Sequence, residues 1–303
     1  SKGVDGFRCD MVELVPMEFM TWLIKSAKAE YKALIFIAEV YQKANYRTYA
    51  SAGFDLLYDK SGFYDALRGI ISGQRPALDL TGEWQEIGEL QPKMLNFLEN
   101  HDEQRVASDF FAGSGKAAFP ALAVSLLFNT APFMIYFGEE VGEDASIEGN
   151  RRTSIFEWRH YPAIDRLHAY IHGEGGLTDY CIVPSVKRFL LDRLSLEESL
   201  IYKEYCRLMR IATADSIFSK GKTFDLMYAN PASGCFNPQK KFVWMRGYAG
   251  AAMVIVANFD HTPVEVDVTI PQEAFDYFGI ERKATVVHTR VNARDYMRVD
   301  ISG

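Results

Sequence analysis

Three acidic residues each close or follow a short apolar run. Asp10 ends Gly6-Phe7-Arg8-Cys9-Asp10, Glu39 ends Leu34-Ile35-Phe36-Ile37-Ala38-Glu39, and Asp102 ends Leu95-Asn96-Phe97-Leu98-Glu99-Asn100-His101-Asp102. Cleavage of a glycosidic bond with retention needs a carboxylate nucleophile and a carboxylic acid about 5 to 5.5 Å apart across the scissile bond. Residues two apart on a strand share a face, so Arg8 is expected to point with Asp10 and hold it ionised as the nucleophile. Glu39 follows apolar or small residues with no cation beside it in sequence, a setting expected to favour the protonated form and the general acid/base role. Asp102, behind Asn100 and His101, brings acceptors that can grip sugar hydroxyls and stabilise positive charge at the anomeric carbon.

Such acids converge only if the runs are strands of one parallel sheet, where near-continuous apolar segments deliver side chains from their carboxyl ends. The spacing supports that frame. Met20, Leu23, Ile24, Ala27 and Tyr31 recur at helical period after Pro16. A second run, Ala33 to Ala38, follows. Phe54 to Tyr58 precedes a helical face of Phe63, Ala66, Leu67, Ile70 and Ile71, and Met94 to Leu98 precedes a buried helix over Ala117 to Phe128. Phe133 to Phe137 is the fifth run, with Ile201, Tyr205, Leu208 and Ala212 as its helix, and Gly138 to Arg193 is an excursion without a clean period. Past Ser219 the pattern becomes short β-rich runs: Thr223 to Tyr228, Lys241 to Arg246, Ala252 to Phe259, Val264 to Ile270, Ala284 to Thr289 and Tyr296 to Ile301. These predict a separate antiparallel β-domain over 220–303 behind an α/β unit over 1–219.

Composition narrows the functional classes. With 303 residues, 48% hydrophobic and 14% aromatic, the chain can fill one large core and a second smaller one. Thirty-three basic against forty acidic residues leave a net charge of -7, the wrong sign for a phosphate-neutralising surface, so no nucleic-acid partner is expected. Cys9, Cys181, Cys206 and Cys235 are scattered without CxxC spacing, which suggests neither a zinc site nor a disulfide framework. The uncharged stretch Ala117 to Phe137 contains Pro120, Asn129, Thr130 and Pro132 and reads as buried helix, turn and strand, so no membrane span is expected. The compartment is left open by the sequence.

The three acidic segments together resemble the second, third and fourth signature regions of the alpha-amylase family of glycoside hydrolases, through Gly6-Phe7-Arg8-Cys9-Asp10, Ile37-Ala38-Glu39-Val40 and Phe97-Leu98-Glu99-Asn100-His101-Asp102. The resemblance implies Asp10 as nucleophile, Glu39 as acid/base, Asp102 as transition-state stabiliser, Arg8 as the nucleophile's partner and His101 as a sugar ligand. It implies α-glucan substrates, starch or maltooligosaccharides, a retaining double displacement, and an incomplete TIM (β/α)8 barrel, about its last five strands, followed by an antiparallel β-sandwich domain. The first signature region, the first three strands and the inserted small domain have no counterpart. A truncated, weakly active or inactive chain is therefore expected, associating with itself through open barrel edges.

Where many family members carry Lys-His after the nucleophile, Met11-Val12-Glu13-Leu14 stands here. The family's calcium site draws on the missing region, so no cofactor is expected for this chain. Among the aromatics Trp84, Trp158, Tyr41 and Tyr58, Tyr41 is the best placed to stack on a sugar, being just beyond Glu39. Gly113-Ser114-Gly115-Lys116 lacks the residues of a phosphate loop and reads as a turn before a helix, while His168 and His172 have a metal-compatible spacing without an evident third ligand. The alternatives to a glucan hydrolase are a transglycosylase and a non-catalytic glucan- or protein-binding protein on the same fold.

Overall fold

The computed structural model describes residues 3–157, 159–172, 194–260 and 262–281. Five parallel strands lie in sequential order: β1 (Gly6–Cys9), β2 (Ile35–Ala38), β3 (Leu56–Tyr58), β4 (Met94–Phe97) and β5 (Phe133–Met134). Helices pass between them: α1 (Met17–Glu30), α2 (Tyr46–Ala52), α3 (Asp65–Ile71), α4 (Asp79–Ile87) and α5 (Phe119–Leu127). This is an α/β half-barrel. β4 is buried at every residue, as expected for a strand covered on both faces.

Registers set which acids are neighbours. Arg8 pairs with Ile37 and Cys9 with Ala38, so Asp10 and Glu39 leave adjacent strands at the same level. Tyr58 pairs with Leu95 and Asn96 with Phe133, which brings the segment after β4 to the same end of the sheet.

Beyond β5 come α6 (Pro162–His172), α7 (Leu196–Ala214) and α8 (Ser216–Lys220), and then an antiparallel sheet of β6 (Lys222–Asp225), β7 (Lys241–Tyr248) and β8 (Ala251–Asn258). Helix α7 opens with a capping box between Ser195 and Glu198, which satisfies two orphan amides. Phe128, just past α5, packs at a tilt against Phe242 at 5.2 Å and meets Trp244 edge-on at 5.6 Å, so one aromatic core joins half-barrel and β-domain.

Several expectations need correction. Val264 to Ile270 is not a strand; it runs between Pro263 and Pro271, and its Thr269 amide is taken by the Asn230 side chain at 2.7 Å instead of a neighbouring ladder. Chain 272–278 then forms α9 (Gln272–Phe278). Among the described residues the β-domain is one three-stranded sheet, and the expected strands over 284–289 and 296–301 lie outside those residues. The fifth barrel strand is two residues long, shorter than Phe133 to Phe137. Helix α6 occupies part of the excursion that showed no period, because only Ala163 and Leu167 of it are buried.

Candidate active site

Arg8 occupies the centre of the acidic cluster. Its Nη1 donates to Asp10 Oδ1, and its Nη2 lies 2.6 Å from Glu39 Oε1, an ion pair by distance whose N–H is not aligned for a hydrogen bond. The guanidinium also sits 5.4 Å from the centre of the Tyr58 ring, at the end of β3. One cation thus bridges the carboxylates that end β1 and β2. No cation stands beside Glu39 in sequence; parallel pairing supplies one from the neighbouring strand by placing Arg8 at the Glu39 strand end, although 31 positions separate them.

The two acids differ sharply in exposure. Asp10 is 66% exposed in its side chain, whereas Glu39 is 6% exposed and has both oxygens engaged. Tyr41 Oη donates to Glu39 Oε1 at 2.9 Å, and the Met11 amide donates to Oε2 at 2.5 Å. Burial, together with Glu39, Asp102 and Glu103, pushes the Tyr41 phenol well above the usual tyrosine range. Tyr58 is likewise raised, chiefly by burial, with Arg8 opposing and Glu39 and Asp102 adding. Asp102 thus lies near enough to both phenols for its charge to add to that of Glu39.

The loop after β4 carries its own support. Asn100 Oδ1 accepts the amides of Asp102 and Glu103 at 2.8 and 2.9 Å, an Asx turn that presents His101 and Asp102, and His101 Nε2 lies 3.2 Å from Asp102 Oδ2. Below it, Glu99 and Arg105 form a fully buried ion pair at 2.5 Å, and Arg105 Nη2 reaches the Phe137 carbonyl at 2.8 Å beyond β5. Burial pushes the Glu99 carboxyl up even though Arg105 and the Val106 amide oppose it. Sequence reasoning missed Arg105 and Glu13. Arg105 follows the acidic segment by three residues, and a basic residue so near a buried-strand carboxylate is the signal that was there.

Other expected features fall elsewhere. Trp84 packs edge-on against Phe128 in the core at 5.7 Å, and Trp158 lies outside the described residues. The Gly113-Ser114-Gly115 turn leads into helix, with Ser114 Oγ accepting the Ala117 amide at 3.3 Å. His168 and His172 share a face of α6, their rings 4.3 Å apart, and among the described residues no group of three or more metal-ligating side chains is assembled. Among them, too, no helix is long and apolar enough to cross a membrane.

No family model and no curated protein sequence matches the chain. Solved structures do. An alpha-amylase from Anoxybacillus is 19% identical, with a TM-score of 0.56 over 84% of this chain and 48% of its own. A cyclomaltodextrinase is 16% identical with a TM-score of 0.56, over 84% of this chain and 37% of its own. The Nostoc punctiforme debranching enzyme is 17% identical with a TM-score of 0.57, over 85% of this chain and 48% of its own. The chain spans about half the length, or less, of these structures. At such identities the likeness is one of fold: a five-stranded part of a TIM barrel followed by a β-domain, matched to a part of an alpha-amylase, of a cyclomaltodextrinase and of a debranching enzyme.

Proposed function

We propose that this chain carries the carboxylate centre of a retaining glycoside hydrolase acting on α-glucans such as starch or maltooligosaccharides. The observation that carries the reading is the Arg8 bridge between Asp10 and Glu39 at adjacent strand ends. In this reading the exposed Asp10 attacks the anomeric carbon, and Glu39 gives a proton to the departing glycosidic oxygen. Asp102 and His101 hold the sugar's hydroxyls, and Glu39 then takes the proton of the water that releases the glycosyl group from Asp10. No cofactor enters these steps. A second reading, a glucan-binding protein without turnover, is favoured by one feature: Glu39 already accepts a hydrogen bond on each oxygen, from Tyr41 and from the Met11 amide, and faces Arg8 as well, so its carboxyl is held as a structural acceptor.

The test is calorimetric titration with maltoheptaose, with reducing ends assayed in the same solution. Binding is expected, weakened about tenfold by Asp102→Asn or His101→Ala, in line with the loss of one or two charge-assisted hydrogen bonds. Turnover by this chain alone is expected to be slight, because a barrel of five strands leaves one wall of the pocket open, and whatever turnover exists should vanish in Glu39→Gln. Binding without any turnover selects the second reading. Absence of binding, or binding indifferent to all three substitutions, removes both.

A further inference from the structure

Tyr41 is fixed at three points by three different segments. Its amide donates to Glu13 Oε2 at 3.0 Å, its carbonyl accepts Ser61 Oγ at 2.6 Å, and its hydroxyl donates to Glu39 Oε1 at 2.9 Å. Glu13 belongs to the 3-10 turn Val12–Leu14 directly after Asp10, and its other oxygen accepts Asn45 Nδ2 at 2.9 Å. Ser61 belongs to the turn Lys60–Tyr64 after β3. Thus a carboxylate standing beyond Asp10 is used to hold the chain around Tyr41, and a hydroxyl from the next strand's loop holds it from the other side.

Opposite Tyr41, the second Glu39 oxygen is met by the Met11 amide. Met11 has φ +44°, a left-handed conformation that a residue with a side chain adopts only under constraint. That conformation aims its N–H at Glu39 Oε2. The carboxyl is therefore gripped from both sides, by a phenol on one oxygen and a backbone amide on the other. A ring whose backbone and hydroxyl are all committed is badly placed to shift and stack on a sugar.

We propose that Tyr41 is a positioning residue, which with the Met11 amide fixes the orientation of the Glu39 carboxyl beside Asp10, and that Glu13 and Ser61 are the struts holding Tyr41 in that role. The proposal deepens the glycosidase reading and rests on Glu39 being its acid/base. The phenol suits the task because, raised as it is by burial and neighbouring carboxylates, it keeps its proton and remains a neutral donor.

Hydrogen exchange at the Met11 amide tests it, since that amide reports directly on where Glu39 sits. In Tyr41→Phe, which keeps the ring, Met11 protection is expected to fall about tenfold, the scale of one lost hydrogen bond to a charged group, while the urea midpoint holds. Ser61→Ala and Glu13→Gln should give smaller losses of the same kind, and Glu39→Gln provides a reference in which the amide's acceptor is altered directly. Unchanged Met11 protection in Tyr41→Phe overturns the proposal. So does a maltoheptaose affinity that survives Tyr41→Phe but is lost in Tyr41→Leu, which would make the ring a sugar platform. Failure of the wild type to bind glucan would instead sink the glycosidase reading and leave the Met11 result standing.

Discussion

Asp59 is 1% exposed at the end of β3, where its Oδ1 accepts the Phe63 amide at 3.1 Å and caps the turn that carries Ser61. Burial pushes its carboxyl up to about 7, with Glu83 adding to the rise and the Phe63 and Gly62 amides and Lys43 opposing it. The unfolded chain releases this proton near pH 3.9, so between about pH 4 and pH 7 the folded state holds a proton that the unfolded state has lost. Stability from this group is full below about pH 4 and falls as pH rises to about 7. Asp59→Asn keeps an oxygen for the Phe63 amide but cannot ionise, so the variant should gain on the wild type across that window. A gap of about 3 pH units corresponds to at most ~4 kcal/mol. Urea unfolding at pH 5 and pH 8 checks this, and parallel stabilities for the two proteins would contradict it. Tyr41 depends on this turn through Ser61, so the same residue links the pH response of the fold to the support of Glu39.

Arg246 of β7 is the clearest tie between elements. It is fully buried, and it donates to the Leu127 carbonyl at the end of α5 and to those of Ile217, Phe218 and Gly221 in and after α8, at 2.9 to 3.1 Å. Burial lowers its value to about 10. Helix carboxyl ends present unpaired carbonyls and a partial negative charge, and a guanidinium with five donors can satisfy several at once. Arg246→Met should therefore cost at least ~3 kcal/mol in urea unfolding, because four buried carbonyls lose a charged donor. Arg246→Lys should recover only part, having no planar fork. A loss under 1 kcal/mol would show that the two units are held by their aromatic core alone. None of this was legible in the sequence, where Arg246 merely ends a β-rich run. What was legible were the barrel strands and α1, because continuous apolar runs and a clean helical face are written along the chain itself. Helix α4 was missed because Glu83 interrupts its buried face, tolerated there by Lys43 and by Arg75 at 2.9 Å. The positions of Asp10, Glu39 and Asp102 were readable from strand ends, but the Arg8 contact to Glu39 was not, since it arises from pairing between strands.

For the whole molecule, the sheet begins at β1 and ends at β5, and among the described residues neither edge pairs with the other. Closed barrels have no edges, whereas an open one leaves backbone donors and acceptors free along two strands. The β1 edge is also apolar. Phe7 is half exposed and lies 5.7 Å from Phe36, Ile35 of the neighbouring strand is 45% exposed, and Phe19 and Trp22 of α1 form an exposed pair 5.7 Å apart. At the other edge Phe137 is 49% exposed. Unpaired backbone flanked by apolar side chains favours association with a second copy of this chain, and the expected outcome is a sedimentation coefficient that rises across a roughly hundredfold range of concentration. A lysine on an edge strand opposes such pairing, so Phe7→Lys should shift the association to higher concentration, while the same change at exposed Tyr228, away from either edge, should leave it unaltered. A chain that stays monomeric throughout that range would mean that the edges are protected in solution. If association does occur through β1, it brings a second molecule against the strand that carries Arg8 and leads into Asp10, so glucan binding and self-association should compete, and maltoheptaose should shift the sedimentation profile towards monomer.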